Sequence, residues 1–225
     1  MSDQAITPWL GSADLKAKTL AAYDTHIAQD TLVRGVYGEE ATDGTFQGCH
    51  IGCLLHVLTG ASAASIEEMD SGERLRAVRD ATGLPCWLTE LSEYFFEGLP
   101  PPRNQQVTRS IMDAVSPGAG LGAVKHRFVI WCLTDDTYGW RQHCDDAEKA
   151  ATDKVVALHT RAAAGESVSD AEWEAARADA RDAAWAAAID DASAAVWAAA
   201  WADAMTAARD AQANALVRLL AEASA

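Results

Sequence analysis

The chain has 225 residues, 49% of them hydrophobic and 23% charged, which is ordinary for a globular protein with a buried core. Its 33 acidic and 18 basic residues give a net charge of −15. Because the sequence also contains no cluster of basic residues, direct nucleic-acid binding is disfavoured. No apolar run approaches the ~20 residues that span a bilayer, and the segment MSDQAITPWLG lacks the features of a signal peptide. We therefore expect a cytoplasmic protein without a membrane partner.

The first predicted helix begins at Ser12, a residue that commonly caps helix N-termini. Its apolar spacing continues past Tyr23, and the pattern predicts that the helix ends only at Gly35. His26, Asp30 and Arg34 then lie on one stripe at positions i, i+4 and i+8. This stripe predicts either one wall of a polar site or an exposed ladder of charges.

The segment GCHIGCLLH, Gly48 to His56, has two cysteines and two histidines in nine residues. A helix from about Cys49 to Leu58 places Cys49, Cys53 and His56 on one face. Three interpretations stay open. The face packs closely against a neighbouring helix, or it binds zinc with a fourth ligand from elsewhere, or it carries a nucleophilic thiol with His56 or His26 as its base.

A candidate ligand pocket lies next to this segment. Arg34 offers a planar fork suited to a phosphate or carboxylate, and the turn Gly35-Val36-Tyr37-Gly38 follows it directly. Asp30, Arg34, Tyr37 and Gln47 are the predicted ligand-binding residues.

The cysteines do not predict a disulfide framework, because the chain has five of them, an odd number, and they are widely spaced. We expect Cys49 and Cys53 to be reduced and buried, because side chains at i and i+4 of a helix run parallel and do not meet in a disulfide.

Two further segments are predicted to be helices. Pro85 opens the helix PCWLTELSEYFFEG, since proline is well tolerated in the first turn. The apolar run AVKHRFVIWCL has the composition of a strand, but no partner strand is apparent, so it is predicted to be a buried helix.

The C-terminal segment has neither glycine nor proline from Ala171 onward and is rich in alanine, which favours helix. Trp173, Trp185 and Trp197 open three copies of a twelve-residue repeat. We predict one long helix or a hairpin that breaks near residues 190–193. The chain is thus predicted to be all-α, with a compact multi-helix domain over residues 1–160 and an Ala-rich repeat helix over residues 170–225. That helix is expected to pack on the domain or to mediate homo-oligomers.

Three motifs stand before the Ala/Trp-repeat tail: DTLVRGVYG, FQGCHIGCLLH and LPCWLTELSEYFFEGL. Together with that tail, they resemble the sequences of an uncharacterised family of bacteriophage and prophage proteins. Members of that family have similar D-x-L-V-x-G-x-Y and G-C-x-x-G-C-x-x-H segments. The resemblance implies a phage accessory protein, acting in the host cytoplasm, and it implies no particular reaction.

Three functions compete at this point. The first is a non-enzymatic protein that occupies or sequesters a host component, either a host protein or a small anionic signalling ligand. The second is a hydrolase or transferase that uses Cys49 or Cys53 with His26 or His56. The third is a structural or assembly protein. No cofactor is expected, and zinc is the one metal that the cysteines and histidines suggest.

Overall fold

The all-α prediction is confirmed by a computed structural model of the chain, which describes residues 7–190 and 194–224. Within the C-terminal helices, side chains are described up to residue 180 and again from residue 205. The described residues form ten α-helices and one short antiparallel hairpin. Among the described helices, none is long and apolar enough to cross a lipid bilayer.

The helices are α1 Ala13–Ala28, α2 His50–Thr59, α3 Ala63–Glu68, α4 Ser71–Thr82, α5 Cys86–Gly98, α6 Arg103–Ala114, α7 Gly122–Thr134, α8 Asp146–Ala163, α9 Asp170–Asp190 and α10 Ala194–Ala223. The hairpin strands are β1 Glu39–Glu40 and β2 Phe46–Gln47, with Glu39 opposite Gln47. Two short 3-10 turns, Pro8–Gly11 and Trp140–His143, complete the described elements.

The chain divides into two compact units. Unit 1 contains Met1–Gly120 and Leu220–Ala225, and unit 2 contains Leu121–Leu219. The boundary predicted near residue 160 falls inside α8. Helix α9 ends at Asp190 and α10 begins at Ala194, so the predicted break at residues 190–193 falls mainly on residues 191–193, which lie outside the described residues. The side chains of Trp185 and Trp197, the later repeat members, also lie outside them.

Helix α1 begins as predicted but ends earlier. The Ser12 hydroxyl accepts a hydrogen bond from the Leu15 amide at 3.1 Å, so Ser12 is the N-cap. The helix ends at Ala28, and Asp30 has a left-handed φ of 55°. The prediction that it runs to Gly35 is wrong.

The early end of α1 has a long-range cause. Residues 31–33 form a parallel bridge to Gly48: the Gly48 amide donates to the Thr31 carbonyl at 3.0 Å, and the Val33 amide donates to the Gly48 carbonyl at 2.9 Å. This pairing needs extended backbone and satisfies the peptide groups that a longer helix would have used. The ladder of His26, Asp30 and Arg34 therefore does not form.

The core of unit 1 lies among α1, α2, α4, α5 and α6. Its largest fully buried side chains are Trp9, Tyr23, Leu54, Leu55, Ile66, Leu88, Phe95, Phe96, Leu99, Ile111 and Met112, with Leu216 the corresponding residue of unit 2. Pro85 stands immediately before α5, and the apolar run of α7 is a helix, so both predicted helices are confirmed. The predicted burial of the α7 run is confirmed only in part, because Val124 and Phe128 are its buried residues and the others are half-buried or exposed.

Candidate functional site

Two of the sequence motifs interlock at the start of α2. The Tyr37 carbonyl oxygen lies so close to the Cα atoms of Gly48 and Gly52 that a Cβ on either residue would overlap it. The Cys49 amide also donates to the Val36 carbonyl at 2.7 Å. Glycines four residues apart thus let the segment 34–38 cross directly over the beginning of α2.

This crossing places Cys49 beside two carboxylates of α5. Cys49 is the N-cap of α2, and Glu93 and Glu97 lie one turn apart on α5. One donor atom from each of the three side chains lies within 4.8 Å of the others. Cys49 is fully buried, and the two glutamates are half-buried.

Backbone amides orient both carboxylates. Glu93 accepts a hydrogen bond from the Ile51 amide at 3.1 Å. Glu97 accepts from the Gly35 amide, which lies 3.1 Å from each of its oxygens. The Cys49 sulfur lies within 4.8 Å of a carboxylate oxygen of each glutamate. Amides from two separate segments therefore orient the two carboxylates of the cluster.

The surroundings keep the thiols of this region protonated. Burial, followed by the charge of Glu93, raises the pKa of Cys49 well above its usual range. Burial likewise raises the pKa of Cys53 to about 12 and that of Glu93 to about 7. A helix N-terminus by itself lowers the pKa of a thiol, whereas the net effect on Cys49 has the opposite direction.

The other catalytic candidates have partners of their own. The Cys53 thiol donates to the Gly48 carbonyl at 3.4 Å. The His56 ring stacks on Phe46, with ring centroids 4.1 Å apart, and its Nδ1 lies 3.0 Å from the Ala61 carbonyl oxygen. The His26 ring lies 5.9 Å from that of His56, and burial lowers the His26 pKa.

His26, too, is held by a local partner, because its Nδ1 lies 2.7 Å from the Thr31 hydroxyl. The structure therefore joins His26 with His56 and joins Cys49 with glutamates. Two members of the predicted set, Cys49 and His56, thus belong to different clusters, and the third, Cys53, binds a backbone carbonyl. The burial of Cys49 and Cys53 as free thiols is confirmed.

The fourth polar residue of the motif, His50, belongs to the core. Its Nδ1 lies 2.8 Å from the Tyr23 hydroxyl, which in turn lies 3.0 Å from the Thr108 hydroxyl. Burial lowers the His50 pKa to about 3, so the ring is neutral and links α2, α1 and α6 through hydrogen bonds.

The four predicted ligand-binding residues contact different partners. Arg34 is exposed, and its Nη1 donates to the carbonyls of Glu97 and Leu99 at 3.4 and 3.5 Å. The Tyr37 ring lies 3.7 Å beneath the guanidinium of the buried Arg74. Gln47 donates to Glu39 across the hairpin at 2.6 Å, and Asp30 is exposed.

Sequence reasoning missed the glutamates that surround the segment 34–38. Besides Glu93 and Glu97, Glu67 of α3 accepts hydrogen bonds from the Tyr37 and Gly38 amides at 3.0 and 3.1 Å. The i, i+4 spacing of Glu93 and Glu97 predicts that they lie on one face of a helix. The same spacing is equally typical of acidic residues on a solvent-exposed face, so it does not indicate a site.

Unit 2 holds a separate cluster of aromatic and imidazole rings. The Nδ1 atoms of His126 on α7 and His159 on α8 lie 2.9 Å apart, and the Trp173 ring of α9 lies 4.7 Å from that of His159. Burial, followed by the proximity of His126 and Lys125, lowers the His159 pKa to about 4.

An open groove of about 620 Å³ also lies in unit 2. Its lining includes Trp131, Asp135, Tyr138, Asp210, Asn214 and Arg218.

Comparison of the chain with protein-family models, curated proteins and solved structures gave no match. The resemblance to phage proteins accordingly stays a prediction.

Proposed function

We propose that this chain is a phage-type accessory protein that binds a basic protein of the host in the host cytoplasm and catalyses no reaction. The observation that carries the proposal is a group of six glutamates on or near the segment 34–40, here called the acidic face. Glu39 and Glu40 belong to the segment, and Glu67 and Glu97 accept hydrogen bonds from its amides. Glu68 follows Glu67 in the chain, and Glu93 has a carboxylate oxygen within 4.8 Å of one of Glu97.

Two members of the acidic face are held in place by backbone hydrogen bonds. Glu67 and Glu97 bind amides of the segment 35–38, and Glu39 follows that segment directly. Four of its members, Glu39, Glu40, Glu67 and Glu68, are exposed. Together with the net charge of −15, this arrangement attracts a positively charged surface and accelerates its association.

The protonated thiols favour binding over catalysis. A cysteine nucleophile reacts as the thiolate, and the raised pKa values of Cys49 and Cys53 keep both thiols neutral near pH 7. Among the described residues, the side chains grouped with the Cys49 sulfur are the carboxylates of Glu93 and Glu97. The Cys/His hydrolase or transferase is therefore the weaker alternative.

A basic partner is also favoured over a small anionic ligand. The Arg34 guanidinium donates to carbonyls of the C-terminal end of α5, and the Glu97 carboxylate binds the neighbouring Gly35 amide. A phosphate at Arg34 would lie near the Glu97 carboxylate and would be repelled by it.

The test compares two variants with the same change in net charge. The face variant carries Glu39→Gln, Glu40→Gln and Glu68→Gln, and the control variant carries Asp14→Asn, Asp136→Asn and Asp170→Asn at exposed acids of other elements. A host protein captured by the wild type is identified, purified and titrated against all three proteins by calorimetry at two salt concentrations. We expect the face variant to lose at least ~10-fold in affinity and the control variant to keep the wild-type value. Equal losses in both variants would show attraction by net charge alone and would refute the acidic face as the binding site.

A further inference from the structure

The cluster of Cys49, Glu93 and Glu97 combines one sulfur and two oxygen donors. These atoms lie within 4.8 Å of one another, and two carboxylates share this half-buried space. Within the part of the chain that the structure describes, no lysine or arginine forms an ion pair with Glu93 or Glu97. Partly buried negative charge without a basic partner is costly, and a bound cation removes that cost.

We propose that Cys49, Glu93 and Glu97 bind one zinc ion, with water as the fourth ligand. Among divalent metals, zinc accepts both thiolate and carboxylate ligands, whereas calcium and magnesium are bound by oxygen alone. This inference goes beyond the proposed function, because it does not depend on any protein partner.

The geometry needs only a small adjustment of the side chains. In a tetrahedral site with Zn–S of about 2.3 Å and Zn–O of about 2.0–2.2 Å, neighbouring donor atoms lie roughly 3.3–3.6 Å apart. The glutamates reach this spacing from within 4.8 Å by rotation of their flexible side chains. On binding, the Cys49 thiol proton passes to solvent, and the ion offsets two of the three negative charges of its ligands.

The frame of the site is already fixed. The Cys49 backbone is bound to Val36, and Gly52 packs against Tyr37, so the thiol cannot move far from α5. The Ile51 and Gly35 amides orient the two carboxylates, as outer partners do in zinc proteins. Each carboxylate has lone pairs left for a metal while it accepts its amide hydrogen bond.

The experiment uses the full chain, freed of metal by a chelator and dialysed. Zinc chloride is titrated against a chromophoric chelator to measure affinity and stoichiometry, and cobalt chloride is added separately to record the absorption spectrum. We expect one ion per chain and a thiolate-to-cobalt charge-transfer band in the near ultraviolet. We expect Cys49→Ser to abolish the band and to weaken zinc binding at least ~100-fold, beyond the 10–100-fold loss typical of an outer partner.

Further variants separate the site from other thiols and acids. Glu93→Gln and Glu97→Gln keep an acceptor oxygen for the Ile51 and Gly35 amides, and each is expected to weaken zinc binding to a similar degree as Cys49→Ser. The matched controls, Cys53→Ala and Glu90→Gln, are expected to bind zinc within ~3-fold of the wild type. Circular dichroism in chelator confirms that each variant is folded, and Cys49→Ser retains a residue suited to the N-cap.

Two results would overturn the proposal. The first is a wild-type chain that fails to compete with a chelator of micromolar zinc affinity. The second is a cobalt band that survives Cys49→Ser, or zinc affinity that survives both glutamate variants. Neither result bears on the acidic face, which is tested by the partner's affinity in the presence of chelator.

Discussion

The Tyr37 carbonyl oxygen and the Cα of Gly52 are in such close contact that no side chain fits between them. This contact joins the segment 34–38 to α2 and holds the N-terminus of α2 near α5. The positions of Cys49, Glu93 and Glu97 therefore depend on a residue that has no side chain.

Gly52→Ala is expected to destabilise unit 1 by about 3 kcal/mol, because the new methyl group displaces the Tyr37 backbone. Urea unfolding followed by circular dichroism measures the change. Gly120→Ala is the control, since a Cβ there meets no atom within 4 Å; it is expected to change the stability by no more than about 0.5 kcal/mol. Similar values for the two variants would contradict the close contact.

Glu67→Ala is expected to cost about 1–2 kcal/mol, because the Tyr37 and Gly38 amides lose a charged acceptor. Glu68→Ala removes the same charge from the adjacent exposed position and is expected to be neutral within about 0.5 kcal/mol. Glu67→Gln, which keeps one acceptor oxygen, should fall between them. The free energies of unfolding of the three variants check this order, and a loss in Glu68→Ala as large as in Glu67→Ala would show a general effect of charge.

Tyr23→Phe is expected to destabilise the chain by about 1–3 kcal/mol, since the buried His50 Nδ1 loses its hydrogen-bond partner. Tyr37→Phe is a suitable comparison, because the variant ring still packs beneath Arg74. Thermal unfolding of both variants tests the difference. A Tyr23→Phe variant as stable as the wild type would mean that His50 finds another partner.

Stability is expected to decrease as the pH falls from about 6.5 toward 4, with His159 as one contributor. The unfolded chain binds a proton at His159 near pH 6.5, whereas the folded chain, with a pKa of about 4, resists it. The contribution is therefore complete above pH 6.5 and is lost on acidification through this window. His159→Gln should flatten the dependence of unfolding free energy on pH by less than the one-proton limit of roughly 1.4 kcal/mol per pH unit, because the ring is partly exposed and solvent screens its charge. An unchanged slope in this variant would contradict the assignment.

Native thiol labelling is expected to distinguish the cysteines by burial. Cys49 and Cys53 are at most 1% exposed and should react with a thiol reagent only through unfolding, whereas the half-buried Cys86 should react first. Mass spectrometry of peptides after timed labelling identifies the sites. Rapid modification of Cys49 at neutral pH would revive the nucleophile hypothesis.

Local signals predicted most of the helices. Ser12 marks a helix start, Pro85 precedes another, and the Ala-rich segment after Ala171 is helical where it is described. The end of α1 was not predictable in this way, because the bridge between Leu32 and Gly48 competes with the helix across sixteen positions. The helical periodicity of a segment does not reveal whether backbone groups far away in the sequence will offer it better hydrogen bonds.

The candidate site was predictable in part. The segment around Cys49 was identified, and close packing was one of its three interpretations. The structure shows such packing at Gly48 and Gly52, but against the backbone of Tyr37 and not against a neighbouring helix. Its partners Glu93 and Glu97 lie more than forty residues away, so only the packing of α5 against α2 brings them there. Donor sets assembled from distant helices leave no local spacing to detect.

The Ser224 side chain has a consequence for the order of folding. Its hydroxyl donates to the Ala114 carbonyl and accepts from the Ser116 amide, so the end of α6 is completed by a residue more than one hundred positions later. At the usual 5–20 residues per second of synthesis, that partner emerges roughly 5–20 s after α6. The hydrogen bonds at the C-terminal end of α6 therefore form only after all of unit 2 has been synthesised. Completing unit 1 is for this reason a late step between residues distant in sequence, and such steps are slow.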